Sequence, residues 1–161
     1  VVGYLGLGSN VGDSAANLSA AADALEASGI TILARASIYT TAPQGEVLDQ
    51  PDFLNSALKI ETDLQPLELL DICKQIEIAH GRDPQGVRHG PRPIDIDVLL
   101  LGDEAFTSDR LTLPHREIAT RRFVLEPLIE IDPALTLPDG TKAVSLLSQV
   151  LDQPVEKTAA F

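Results

Sequence analysis

Six apolar segments follow one another with a set order of periods, and that order constrains the fold more than any other feature. Val1 to Leu7 is an apolar run closed by Gly8-Ser9-Asn10, the pattern of a buried strand and a turn. From Ser14 to about Ala27 the period lengthens. Leu18, Ala21, Ala22 and Leu25 share a helix face behind a capping Asp13, and Ser28-Gly29 stops the helix. Thr31 to Thr40 alternates, with Ile32, Ala34, Ala36 and Ile38 on one side of a predicted strand. Residues 41–52 carry Pro43, Gly45 and Pro51 and read as a loop. Phe53 to Thr62 alternates again and sends Leu54, Leu58 and Ile60 to the core. Pro66 suits the first turn of a second helix, whose buried stripe is Leu69, Ile72, Cys73 and Ile76 and whose stop is Gly81. After a Gly- and Pro-rich loop, 82–93, Ile94 to Leu101 is the last long strand.

The order β-α-β-β-α-β is the split βαβ arrangement. It predicts an α+β, ferredoxin-like fold with an antiparallel sheet and both helices on one face. Beyond Gly102 come short strand and turn pieces, helical turns near Ile118–Leu128, and a last short helix from Val144 to Leu151. No repeat or linker divides the 161 residues, so a single catalytic domain spanning 1–161 is expected, with a tail at 156–161 that frays.

Charge is distributed unevenly. The chain carries a formal net charge of −12, which argues against general nucleic-acid or membrane-surface binding. The excess lies outside residues 80–122. That window holds seven arginines (Arg82, Arg88, Arg92, Arg110, Arg116, Arg121 and Arg122) against seven acids, and no Lys. Arginine presents a planar fork of donors suited to phosphate, so the window suggests polyphosphate recognition. Single arginines on a surface are more often solvated or ion-paired, as expected for Arg116 and Arg122. The single Cys73 rules out an intramolecular disulfide and, on a buried stripe, reads as core filler. With no membrane-length apolar run and no basic leader, a cytoplasmic protein and a monomer are expected.

The strongest chemical signal is Asp95-Ile96-Asp97. Alternation puts both aspartates on one strand face, Cα atoms about 6.5 Å apart, with Ile94, Ile96, Val98 and Leu100 on the other. Two carboxylates beside a core repel each other and lose solvation unless a cation joins them. Such oxygen donors suit Mg2+, shared with substrate phosphates and water, and the spacing suits two ions. A bare D-x-D also occurs on solvated edge strands. Here Gly90-Pro91-Arg92-Pro93 leads directly into it, and Arg82 and Arg88 lie on the same loop, the makings of a segment that closes on phosphates. Thr112, His115 and Arg121 form a second cluster, candidates for nucleotide and phosphate contacts. A third would hold a flat heteroaromatic acceptor. Phe53 and Asn55 share a strand face, and Phe123 can close a sandwich under loop 41–52.

Together these motifs resemble a known family. Tyr4-Leu-Gly-Leu-Gly8-Ser9-Asn10, Gln50-Pro-Asp-Phe53-Leu-Asn55, Arg88-His-Gly-Pro-Arg92-Pro-Ile-Asp95-Ile-Asp97, Leu113-Pro-His115 and Arg121-Arg-Phe123 are similar, in order and spacing, to 6-hydroxymethyl-7,8-dihydropterin pyrophosphokinases of folate biosynthesis. The resemblance implies an α-β-α layered fold and transfer of diphosphate from ATP to a reduced pterin. It implies Asp95 and Asp97 as ligands of two Mg2+ ions, and Arg82 and Arg92 as mobile catalytic arginines beside Asp97. It places ATP on Glu77, Arg82, Arg88, Arg92, Val98, Arg110, Thr112, His115 and Arg121. It places the pterin on Thr41, Ala42, Pro43, Gln44, Phe53, Asn55, Asp95 and Phe123. Three positions depart from the family pattern: Gln44 replaces an apolar residue, His89 stands where some members have Trp, and Pro84 where some carry Arg.

Two other readings compete. A polymerase-β-type nucleotidyltransferase also pairs Gly-Ser with D-x-D, but there the two motifs lie close together, unlike Ser9 and Asp95. A ferredoxin-like regulatory module without turnover would need no paired carboxylates beside an arginine loop.

Overall fold

The computed structural model describes residues 1–42, 52–81 and 93–161. The elements are β1 (Val2–Ser9), α1 (Ser14–Ala27), β2 (Thr31–Arg35), β3 (Ile38–Thr41), β4 (Phe53–Glu61), α2 (Pro66–Ala79), β5 (Asp95–Leu101), β6 (Phe106–Thr107) and β7 (Thr112–Leu113). A 3-10 turn (Ile118–Thr120), α3 (Arg122–Ile131), α4 (Ala143–Leu147) and β8 (Glu156–Ala159) follow. The main sheet runs β5-β1-β4-β3-β8, with β2 also on β4, and each of its pairings is antiparallel. β6 and β7 form a separate hairpin.

Local chemistry explains the helices. The Asp13 carboxylate accepts the Ala16 N–H at 3.1 Å, and α1 ends before Gly29 at φ 90°. In α2, Pro66 opens the first turn and the Glu68 side chain accepts the Gln65 N–H at 2.9 Å. Leu18, Ala21, Ala22 and Leu25 of α1 and Leu69, Cys73 and Ile76 of α2 are buried against Leu5, Leu7, Leu58, Ile60, Ile94, Ile96 and Val98 on one sheet face. The opposite face carries a second core, where Tyr4, Ala36, Ala57, Leu99 and Leu100 meet Leu125 and Leu128 of α3 and Ala143 of α4. The architecture is therefore α-β-α, with the first two helices on one face as their order predicts.

Four expectations are corrected. Thr31 to Thr40 is two strands, and Ala36 packs in the α3 core while Ile38 packs in the α1/α2 core. The break is pinned from α3, where Glu130 accepts the Ser37 N–H (3.0 Å) and Oγ–H (2.7 Å). Leu100 does not share a face with Ile94, Ile96 and Val98. In the β1/β5 ladder Tyr4 faces Leu100 and Leu5 faces Val98, so Leu99 is an inserted bulge residue and both leucines turn toward α3 and α4. Residues 156–159, expected to fray, add strand β8 to the edge of β3. The last helix is shorter than expected and ends at Leu147.

Candidate functional site

The site forms on the α3 side of the sheet, at the β1 end that leads to Ser9. Register puts Asp97 across from Gly6 and Asp95 across from Gly8. On the other side of β1, Gly6 faces Ala57 and Gly8 faces Asn55. Two adjacent rows thus cross the sheet, Asp97–Gly6–Ala57 and Asp95–Gly8–Asn55, and the missing glycine side chains leave a floor open to backbone. The fit is close at Gly8, where an added Cβ would stand 3.1 Å from Asn55 Oδ1 and 3.8 Å from the Phe53 ring. Gly6 and Gly8 were absent from the sequence candidates. Their signal was there, since glycine repeated at i and i+2 in a strand marks close approach of another group.

A cavity of about 220 Å³ opens above this floor. Phe53 and Phe123 line it, with Asn55, Thr41, Ala42, Asp95, Asp97, His115 and Arg121. Asn55 is 6% exposed, and its Nδ2 donates to the buried Thr41 Oγ1 at 2.8 Å, which fixes the plane of the amide. Arg121 is tethered to Glu117 at 3.0 Å, with its guanidinium 5.5 Å from the centre of the Phe123 ring.

A second cavity, about 300 Å³, lies on the far side of β5 and is lined by Leu70, Lys74, Val98, Arg110, Thr112 and Arg116. Asp97, His115 and Glu117 belong to the walls of both cavities. Arg110 reaches this wall from the β6–β7 turn, paired with Asp71 of α2. Arg116 is exposed, as expected, and donates to Thr112 Oγ1 at 3.3 Å. Arg122 departs from the solvated expectation. It is half-buried, bonded to Glu126 and to the Leu151 and Gln153 carbonyls. Lys74 was absent from the sequence candidates, because one lysine on a helix carries no pattern of its own.

Glu77 is buried and lies outside the linings of both cavities. Its Oε2 accepts the Ile96 N–H at 2.7 Å, between the two aspartates, and its Oε1 is 3.3 Å from Lys74 Nζ. It thereby holds the outer edge of β5. Burial pushes the Asp97 carboxyl well above the ordinary carboxylate range, and the Asp95 and Glu77 charges push it further, with Lys74 opposing. Burial lowers the His115 pKa, against the pull of Glu117 and Asp95. His115 Nδ1 accepts the Glu117 N–H at 3.1 Å, so the neutral ring carries its proton on Nε2 and presents a donor there.

Asp95 and Asp97 fit a divalent cation. They are hard oxygen donors, and Asp97 is half-buried among further negative charge that a cation would offset. Among the described residues no group of three or more His, Cys, Asp or Glu side chains is placed to hold a metal alone. Of the other expected site residues, Pro43, Gln44, Arg82, Arg88 and Arg92 lie outside the described residues, as do Pro84 and His89.

The profile of 7,8-dihydro-6-hydroxymethylpterin-pyrophosphokinase (HPPK) matches residues 4–133. A 2-amino-4-hydroxy-6-hydroxymethyldihydropteridine pyrophosphokinase of Methylorubrum extorquens is 50% identical over 139 residues, covering 86% of this chain and 87% of that protein. Its counterpart in Haemophilus influenzae is 39% identical over 158 residues, 98% of each. A mitochondrial folate synthesis bifunctional protein of Pisum sativum is 49% identical over 127 residues, 79% of this chain but 24% of that one. Among solved structures, an HPPK-DHPS in complex with substrates superposes with a TM-score of 0.72 at 15% identity, over 92% of this chain and 43% of that one. That likeness supports the fold alone. The chain belongs to the 7,8-dihydro-6-hydroxymethylpterin-pyrophosphokinase family. No helix among the described residues is long and apolar enough to cross a membrane.

Proposed function

We propose that the chain transfers diphosphate from ATP to the hydroxymethyl group of 6-hydroxymethyl-7,8-dihydropterin, giving the pterin diphosphate and AMP. This is the reaction for which its family is named. The observation that carries the assignment of parts is the wall shared by two cavities. The aromatic cavity, lined by Phe53, Phe123 and the fixed Asn55 amide, suits a planar heterocycle that needs stacking and paired hydrogen bonds. The polar cavity, with Lys74, Arg110, Thr112 and Arg116, suits a nucleotide. Asp97 and His115 stand where the two ligands would meet.

In this reading the pterin hydroxyl oxygen attacks the β-phosphorus in line. A new P–O bond forms as the bond to the bridging oxygen of the α-phosphate breaks, and AMP leaves with that oxygen. Holding both ligands at one wall turns an encounter of two molecules into a reaction within one assembly. His115 Nε2–H and the Arg121 guanidinium, both on the cavity wall, would offer donors to developing negative charge. Asp97 is our candidate acceptor for the hydroxyl proton. Asp95 and Asp97 would hold Mg2+, two ions in the family pattern, with phosphate oxygens and water as the remaining ligands. When bound, Mg2+ neutralises phosphate charge and lowers the pKa of a coordinated hydroxyl. Arg82 and Arg92 are proposed to close on the triphosphate and Arg88 to bind it, while Pro43 and Gln44 cover the pterin.

The test is incubation with ATP, Mg2+ and the reduced pterin, followed by product analysis. AMP with pterin diphosphate is the expected outcome. Release of pyrophosphate would instead indicate nucleotidyl transfer, and binding without any turnover a regulatory module.

A further inference from the structure

Arg121 and Phe123 flank Arg122, the first residue of α3, and this helix starts without help from its own N-cap. The Arg121 side chain makes no capping hydrogen bond. The first N–H groups of a helix need partners, and a side-chain acceptor there steadies the whole first turn. Here the partner comes from 31 residues along the chain. Gln153 Oε1 accepts the Arg122 N–H at 2.9 Å, and Gln153 Nε2 donates to the Thr120 carbonyl at 2.8 Å. One amide therefore joins the end of the 3-10 turn to the start of α3, bridging directly over Arg121.

The contact is reciprocated. The Arg122 guanidinium donates to the Leu151 and Gln153 carbonyls, each at 2.9 Å, while its Nε holds Glu126 at 3.0 Å. The segment that carries Gln153 is itself anchored just beyond. β8 pairs with β3, and the Thr40 and Thr158 hydroxyls meet at 3.0 Å. β8 is tied down at the sheet edge, and Gln153, three residues before it, bonds the backbone on either side of Arg121, a wall residue of the aromatic cavity.

We propose that Gln153 is a positioning residue for that cavity. It touches neither ligand. It fixes the backbone on both sides of Arg121, and so sets the angle at which Arg121 and Phe123 line the wall. The inference rests on the reading of this cavity as the pterin site.

The test compares Gln153→Ala and Gln153→Glu with wild type in equilibrium binding of the reduced pterin, binding of AMP and thermal unfolding. Glutamate keeps an acceptor for the Arg122 N–H but loses the donor to Thr120. Loss of the two bonds is expected to weaken pterin binding about tenfold in Gln153→Ala, with Gln153→Glu between it and wild type. AMP affinity should stay within about twofold, because neither Arg121 nor Phe123 lines its cavity. Wild-type pterin affinity in both variants overturns the proposal, as does an equal loss for both ligands, which would mean general loosening of the fold. Wild-type protein that binds AMP but no pterin overturns the reading of the cavity, and this inference with it.

Discussion

The backbone N–H of His115 donates to the carbonyl of Leu99 at 2.9 Å, two residues beyond Asp97 on the same strand. Leu99 is the bulge residue of β5. A bulge leaves a residue out of the ladder and bends the strand. Here the released carbonyl captures the segment after β7 and seats His115 in the wall that Asp97 shares with both cavities. His115→Ala should lower kcat/KM about 100-fold, the scale of one lost preorganised donor. His115→Gln, which retains an N–H, should recover part of it. Steady-state kinetics with both substrates checks this.

Asp97 is held in the apo protein against burial and the charges of Asp95 and Glu77. Asp97→Asn removes the charge that those neighbours oppose. The variant should lose turnover, by at least about 1,000-fold if the carboxylate serves both cation and proton transfer. Its melting temperature in chelator should exceed that of wild type, by about 2–4 °C for each kcal/mol relieved. Added Mg2+ with ATP should stabilise wild type and leave the variant nearly unmoved. Calorimetry in the two conditions separates the effects, and a variant less stable than wild type in chelator would count against the account.

Gly8 faces Asp95 on one side and Asn55 on the other. Gly8→Ala would set a methyl 3.1 Å from Asn55 Oδ1, so the amide has to give way. Pterin affinity should fall about tenfold, the scale of one misplaced hydrogen-bonding group. The fold itself should survive, because extended backbone accepts alanine. Equilibrium pterin binding and circular dichroism together check both statements.

Glu130 accepts the Ser37 N–H, the Ser37 hydroxyl and the Tyr39 hydroxyl. Those bonds hold its carboxyl below the ordinary range, against the upward push of burial. A carboxyl depressed in the folded state stabilises above its unfolded pKa, about 4.3 for Glu, and loses that contribution as pH falls through the folded value. Glu130→Gln should therefore cost about 1 kcal/mol at neutral pH, discounted for solvent exposure, and the gap to wild type should close at acid pH. Urea melts across that range measure the gap.

Cys73 is fully buried, and its thiol is pushed up to about 12, first by burial and then by Glu77 and Asp97. At pH 8 it should resist alkylation in the native protein and react fully in denaturant. Mass spectrometry of both samples decides.

Much of the site was legible before the fold. Asp95 and Asp97 share a face because alternation is a local property of any strand. Phe53 and Asn55 share a face for the same reason, and both reach the aromatic cavity. The core stripes of α1 and α2 follow from helical period alone. What was missed depends on partners distant in the chain. Leu100 was given to the wrong face because a bulge inserts a residue without any mark in the local pattern. Ala36 changed sides because Glu130, on α3, breaks the strand at Ser37. Arg122 was expected in solvent because nothing near it announces the carbonyls of Leu151 and Gln153.

The sequence by itself determined the order of elements, the paired aspartates and the aromatic–amide pair, since these depend on periods of two and 3.6 residues that any short stretch displays. Only the tertiary structure decided that Gly6 and Gly8 floor the site, that Asp97 and His115 stand between two cavities, and that Gln153 closes the start of α3. Register between strands, the position of a bulge and the reach of a terminal segment are set by packing among residues far apart in the chain. No local pattern carries that information.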